Sequence, residues 1–266
     1  MNSENLMRRF GVVDTGPRTC DTHGEYTSTH IVRGELDHWS GCPTCAEEES
    51  QRKVSAEMAE NRRRAEQQRM ERMLGYACLP PRFATKAFDT YRADTPEQQR
   101  VLRICREYAD GFQAHYDSGL NLLMLGSPGT GKTHLAVAIL RDVIERHKVT
   151  GVYTSAARMF RRIKSTFGSS EESETQAIEA YTTPALLVLD EIGVSYGSDA
   201  ELNYLFDIMN ERYEQCLPTI IVSNIQPDEM GAWLGDRVVD RLRESSRMML
   251  FNWDSARRDI AKEGAQ

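Results

Sequence analysis

The run Gly126-Ser127-Pro128-Gly129-Thr130-Gly131-Lys132-Thr133 constrains this chain more than any other feature. It follows the apolar stretch Leu120 to Leu125 and precedes the apolar-periodic stretch His134 to Ile144, which sets the order strand, glycine-rich turn, helix. Backbone N–H groups of such a turn, with the exposed first amides of the helix, surround phosphate oxygens. The stretch from Gly126 through Thr133 to His134 is therefore the candidate nucleotide contact. Lys132 is placed to reach the outer phosphates, and the Thr133 hydroxyl to ligate magnesium. The expected ligands are a nucleoside triphosphate and Mg2+.

A second constellation agrees with the first. Leu186 to Leu189 is a buried-strand pattern ending in Asp190-Glu191. A carboxylate at the carboxyl end of a central strand stands where α/β sheets bind ligands, so Asp190 is the candidate magnesium residue and Glu191 the group that polarises an attacking water. Together with the glycine-rich loop they predict an ATPase. Further strands are expected over Val149 to Thr154, Pro218 to Ser223 and Met248 to Phe251, and helices over Glu97 to Tyr116, Ala157 to Phe167 and Leu202 to Arg212. Strands alternating with helices of this length predict an α/β fold, a mostly parallel sheet flanked by helices. Asn224, just after one strand, has two readings: a sensor of the terminal phosphate, or a cap for the segment Gln226 to Glu229. Arg237 and Arg241 lie four apart on one helical face. They read either as arginines offered to a neighbouring subunit's outer phosphate, or as surface partners of Asp236 and Asp240.

The amino-terminal fifth has its own chemistry. Cys20-x2-His23 is followed after eighteen residues by Cys42-Pro43-Thr44-Cys45, two close pairs that suit a closed, structural zinc site. His30 and His38 lie in the interval and are alternatives to His23. A segment this short buries little apolar area, so metal binding would contribute directly to its folding. Cys78, Cys105 and Cys216 are scattered and read as ordinary thiols. Glu47 to Leu74 is charged, free of Gly and Pro, and predicts a solvated connecting helix. Its Arg62-Arg63-Arg64 cluster reads as a solvated face or as a nucleic-acid contact. The expected division is a zinc module at 1–50, a charged linker helix at 51–80 and the ATPase domain at 81–266.

Length and charge exclude other classes. A chain of 266 residues accommodates one core of about 170 to 200 residues and a smaller module. The net charge of −7 argues against coating duplex DNA through bulk charge, while permitting a local basic patch. No apolar run approaches the roughly 18 residues that span a bilayer, and Met1 to Gly16 lacks the basic-then-apolar order of a secretory signal. The expectation is a cytoplasmic protein with no membrane partner.

The ensemble resembles the bacterial and phage replicative-helicase loaders of the AAA+ class, which are related to the replication initiator and to ATPase helpers of some transposons. The resemblance is carried by Gly126 to Thr133, Leu189-Asp190-Glu191-Ile192-Gly193-Val194, Ser223-Asn224, Gly235-Asp236-Arg237, Asp240-Arg241-Leu242-Arg243 and Phe251-Asn252-Trp253-Asp254-Ser255. It implies an ATP-controlled protein that binds a hexameric replicative DNA helicase and places it on single-stranded DNA, with self-association on the helicase or DNA. Arg241 matches the family's inter-subunit arginine finger, with Arg237 its companion. The family's DNA-touching helix matches Ala157 to Phe167, where Phe160, Arg161, Arg162, Lys164 and Phe167 combine rings with charge; the alternative makes Phe160 and Phe167 core residues. The chain ends soon after its last strand, so no C-terminal helical lid is expected. The zinc module departs from the best-known loader. Two other functions fit the same core: an ATPase helper of a transposition system, and a DNA-binding protein switched by ATP.

Overall fold

Continuous apolar runs need cover on both faces, and the structure, a computed structural model describing residues 11–168, 172–193 and 198–255, supplies it. Two compact units divide between Gln68 and Arg69.

In the second unit, strands β4 (Asn121–Gly126), β5 (Gly151–Ser155), β6 (Leu186–Ile192), β7 (Thr219–Ser223) and β8 (Ser246–Phe251) form one sheet in the order β5-β6-β7-β4-β8. Every neighbouring pair is parallel. Leu122 and Met124 of β4 face a core closed by α2 (Pro96–Asp110), α3 (Phe112–Ser118) and α4 (Lys132–His147), with Cys105, Tyr108, Phe112 and Ile139 all buried. Leu123 and Leu125 face the other core, filled from α5 (Ala156–Ser165), α6 (Glu174–Thr182), α7 (Asp199–Glu214), α8 (Met230–Leu234) and α9 (Asp236–Ser245). The helix expected over Glu97 to Tyr116 is two helices, because the chain leaves α2 at Gly111, which then begins α3. At its start Thr95 Oγ1 accepts from the Gln98 N–H while the Gln98 side chain accepts from the Thr95 N–H, a reciprocal cap.

Arg212 of α7 is 1% exposed and donates to the carbonyls of Tyr181, Thr182, Pro184 and Pro218 and to the Thr219 hydroxyl. It ties α7 to the α6–β6 connection and to the start of β7. Burial lowers its pKa.

The first unit is built differently. Strands β1 (Val12–Cys20), β2 (Gly24–Arg33) and β3 (Leu36–Trp39) form an antiparallel sheet in that order. Helix α1 (Pro43–Tyr76) follows, running across the division between the units. It starts four residues before the predicted Glu47, with proline at its first position, where the missing N–H costs nothing. Cys45 thus belongs to the helix. No residue of α1 is buried. Among the described residues no helix is long and apolar enough to cross a membrane, and no helical domain follows β8. Val194 and the chain after Ser255, on which part of the loader resemblance and the expected lack of a lid rest, lie outside the described residues.

Candidate functional site

The phosphate loop connects β4 to α4 at the carboxyl edge of the sheet. Gly126 has φ 129° and Gly131 φ 93°, and at both a side chain would collide with a neighbour. A Cβ on Gly126 would lie 2.4 Å from the Phe251 carbonyl oxygen, and one on Gly131 2.6 Å from the Tyr91 ring. Lys132 is buried, and its ammonium donates to the carbonyls of Gly126 and Ser127 at 2.8 Å each, which holds it across the mouth of the loop. The Thr130 hydroxyl donates to Ser127 O at 2.8 Å, bracing the turn from within. Pro128 and Gly129 complete that turn. The His134 imidazole is engaged by Ala87 O at 2.9 Å and the Thr90 hydroxyl at 3.2 Å, and burial lowers its pKa. It fastens segment 87–90 to α4, so any contact it offers a nucleotide comes from its backbone.

β6 brings the acidic pair to the same edge, separated from β4 by β7 alone. The pairing of β6 with β7 slips between Leu189 and Ile192, and Glu191 takes φ 59°, a left-handed conformation rare outside glycine. Such a break re-aims side chains. Asp190 is buried and accepts from the Thr133 hydroxyl at 2.9 Å, while Glu191 is exposed. The same Asp190 oxygen accepts from the Tyr153 hydroxyl at 2.8 Å, and the other from the Glu191 N–H at 2.7 Å. Burial first, then the Asp190 charge, raises the Tyr153 pKa, keeping its hydroxyl a donor. Thr133 and Asp190 therefore stand together with their oxygens 2.9 Å apart, a hard oxygen donor set that suits Mg2+. Tyr153 was missed in the sequence because its contact spans 37 positions.

Asn224 is exposed immediately beyond β7, between the two strands that carry the loop and the acids. Its alternative as a cap fails: Gln226 begins the short turn at Pro227–Glu229, and Glu229 returns the bond at 2.9 Å. Arg237 and Arg241 do not form ion pairs with Asp236 and Asp240 among the described residues; Arg241 lies 4.4 Å from the Tyr213 ring centroid and Arg237 5.6 Å from that of Phe206. The Arg241 carbonyl accepts from Ser245, which is bonded to Asn121, the first residue of β4. Arg241 is therefore a strand length, about 17 Å, from its own phosphate loop.

Helix α5 corrects one expectation. Phe160 is 2% exposed and belongs to the core with Ala156, Met159 and Ile163, so it cannot stack on a base. Arg162 is paired with Glu172 and Lys164 with Glu201. Arg161 is exposed, and Phe167, just past the helix, is 60% exposed.

In the first unit the four predicted ligands converge. Cys20 ends β1, His23 lies in the β1–β2 turn, and Cys42 and Cys45 flank the start of α1. Cys20 Sγ is 3.5 Å from Cys45 Sγ; His23 Nδ1 is 3.2 Å from Cys45 Sγ, 3.8 Å from Cys42 Sγ and 3.9 Å from Cys20 Sγ. All four ligand atoms lie within 4.8 Å of one another, around the edges of about 3.5 to 3.8 Å of a tetrahedron with zinc bond lengths, and the donor types suit the ion. Backbone hydrogen bonds from Thr22 and His23 pull the Cys20 thiol down to about 6, while Cys45 is pushed up to about 12, first by Cys20 and then by burial. Clustered thiolates disfavour one another, and a dication removes that penalty. His23 Nε2 meets the Glu48 carboxylate at 3.0 Å, which directs Nδ1 at the cluster. Glu48 was missed, although it lies one helical turn after Cys45. His30 is instead bonded to Asp37 and stacked on Trp39, which removes it as a ligand.

Residues 44–263 match the family described as IstB-like ATP binding protein. The replicative helicase loader DnaC of Escherichia coli K12 is 34% identical over 190 residues, covering 71% of this chain and 76% of that protein. The crystal structure of the DnaC helicase loader superposes with TM-score 0.59 at 28% identity, covering 65% of this chain and 99% of that one. AMPPCP-bound DnaA from Aquifex aeolicus shares the fold, with TM-score 0.55 at 21% identity over 70% of this chain and 56% of that one. Cys20, His23 and Cys42 lie outside the family match.

Proposed function

The chain belongs to the IstB-like ATP binding protein family, with an AAA+ fold, and on that premise we propose that it is an ATP-hydrolysing loader of a hexameric replicative DNA helicase onto single-stranded DNA. The ATPase part of the reading is carried by the hydrogen bond from the Thr133 hydroxyl to the Asp190 carboxylate, which joins the phosphate loop to the acidic strand end with Glu191 exposed beside it, and the loader part is supported by the 34% identity to the DnaC helicase loader.

In this reading the loop amides from Gly129 to Thr133 bind the phosphates, and Lys132 exchanges its carbonyl partners for the outer phosphate oxygens. Thr133 and Asp190 would hold Mg2+, which when bound offsets phosphate charge. Glu191 takes the role of orienting and deprotonating water, and Asn224 that of contacting the terminal phosphate. Arg241 cannot serve its own loop across the sheet, which supports action on a neighbouring subunit, with Arg237 beside it. Arg161 and Phe167 offer the remaining charge and ring for a single strand. Cys20, His23, Cys42 and Cys45 would hold a structural Zn2+ in a module that contacts the helicase.

The test is light scattering behind size exclusion, with the host's hexameric replicative helicase and ATP. A stable complex is expected; its absence, with a complex formed by a transposase instead, would overturn the loader reading in favour of a transposition helper. Arg241→Ala is expected to bind ATP normally and lose helicase- and strand-stimulated turnover, and normal stimulated turnover would refute the trans role.

A further inference from the structure

The closing run of the loader resemblance, Phe251-Asn252-Trp253, has no role in the site described so far, yet it lies on the phosphate loop. β8 pairs with β4 as far as Gly126 opposite Phe251. The Phe251 carbonyl then accepts the Ser127 N–H at 3.1 Å, and its oxygen fills the place a Gly126 side chain would need. Two residues on, the Trp253 ring packs on Phe251 at 5.0 Å between centroids, and its indole N–H donates to the Thr130 carbonyl at 3.1 Å. The Tyr91 hydroxyl donates to the same carbonyl at 3.4 Å from the other side of the sequence.

A trans peptide is planar, and its C=O and N–H point in opposite directions. The Thr130 carbonyl belongs to the same peptide as the Gly131 N–H. Drawing that oxygen outward with an indole donor therefore turns the Gly131 N–H inward, toward the phosphate cradle. Gly131 itself imposes no such choice, since glycine accommodates either orientation at little cost.

We propose that Trp253 is a positioning residue of the phosphate loop: its indole N–H fixes the Thr130 carbonyl and thereby aims the Gly131 N–H at the phosphates of the bound nucleotide. This rests on the nucleotide-binding reading above. It also gives the sheet-edge strand β8 a direct mechanical connection to the loop.

The experiment is isothermal titration of the full chain with MgATP and with magnesium tripolyphosphate, which has no base or sugar. Trp253→Phe keeps a ring against Phe251 and removes the donor. It is expected to weaken both ligands in parallel, by about three- to tenfold, the worth of one hydrogen bond, with the melting temperature lowered by only a few degrees. Trp253→His restores a ring donor and is expected to recover part of the loss. Tyr91→Phe, lacking the longer bond, is expected to produce a smaller parallel loss, and it carries the test should Trp253→Phe fail to fold. Wild-type affinity for both ligands in the readable variant overturns the proposal. A loss confined to MgATP also overturns it, since that outcome places the residue against the base. A wild-type chain that binds neither ligand would refute the nucleotide-binding reading itself.

Discussion

Residues 12–39 form three strands and bury a single side chain, that of Ser28, whereas every position of the six-residue strand Asn121–Gly126 is buried. Both are β-sheets, but only the second has an apolar core on each side. In the first unit Cys20, His23, Cys42 and Cys45 converge instead, and the proposed metal would take the place of that core. On the proposed zinc role, the contrast teaches that one chain can combine a unit whose order depends on a metal with one whose order depends on apolar burial, and that each should answer to a different perturbation.

The largest effect is expected from removing the metal. A strong zinc chelator should abolish amide-exchange protection across Val12–Trp39, a change on the order of 10 kcal/mol, and leave Asn121–Gly126 protected. Simultaneous loss in both sheets, or loss in neither, would break the comparison. Next comes Arg212→Met, which leaves four carbonyls and a hydroxyl without their donor. Urea unfolding should register a loss of about 3 kcal/mol or more while zinc content stays the same. Glu48→Ala is a smaller test, directed at the orientation of His23. Competition with a chromophoric chelator should read about 10- to 100-fold weaker zinc affinity, with the nucleotide-binding unit's melting unaltered. Met58→Ala should do least. Met58 is 67% exposed on α1, and its loss should alter stability by no more than about 0.5 kcal/mol.

The parts of the site that could be read in advance are those the chain writes contiguously. The glycine-rich loop and Asp190-Glu191 each occupy consecutive positions, and a buried strand before each fixes which edge of the sheet they reach. The parallel sheet followed from the same runs. Phe160 was legible too, because Ala156, Met159, Phe160 and Ile163 keep the period of a buried helix face; its neighbouring arginines invited the other reading. The contacts of Tyr153 with Asp190 and of Trp253 with Thr130 span 37 and 123 positions, and no local pattern announces them. The start of α1 was misplaced for a different reason. Cys42 to Cys45 was read as metal chemistry alone, although a proline followed by an uninterrupted polar run is also a helix start.

Arg241 and the phosphate loop sit at opposite edges of one sheet. On the proposed trans role each chain carries two unlike halves, and a complete catalytic centre exists only where one chain meets the next. Such head-to-tail contacts close into rings or remain open. An open arc of n chains would contain n − 1 complete centres, and a closed ring n. Turnover per chain would then count the junctions in the assembly, and its plateau would report whether the arc is open.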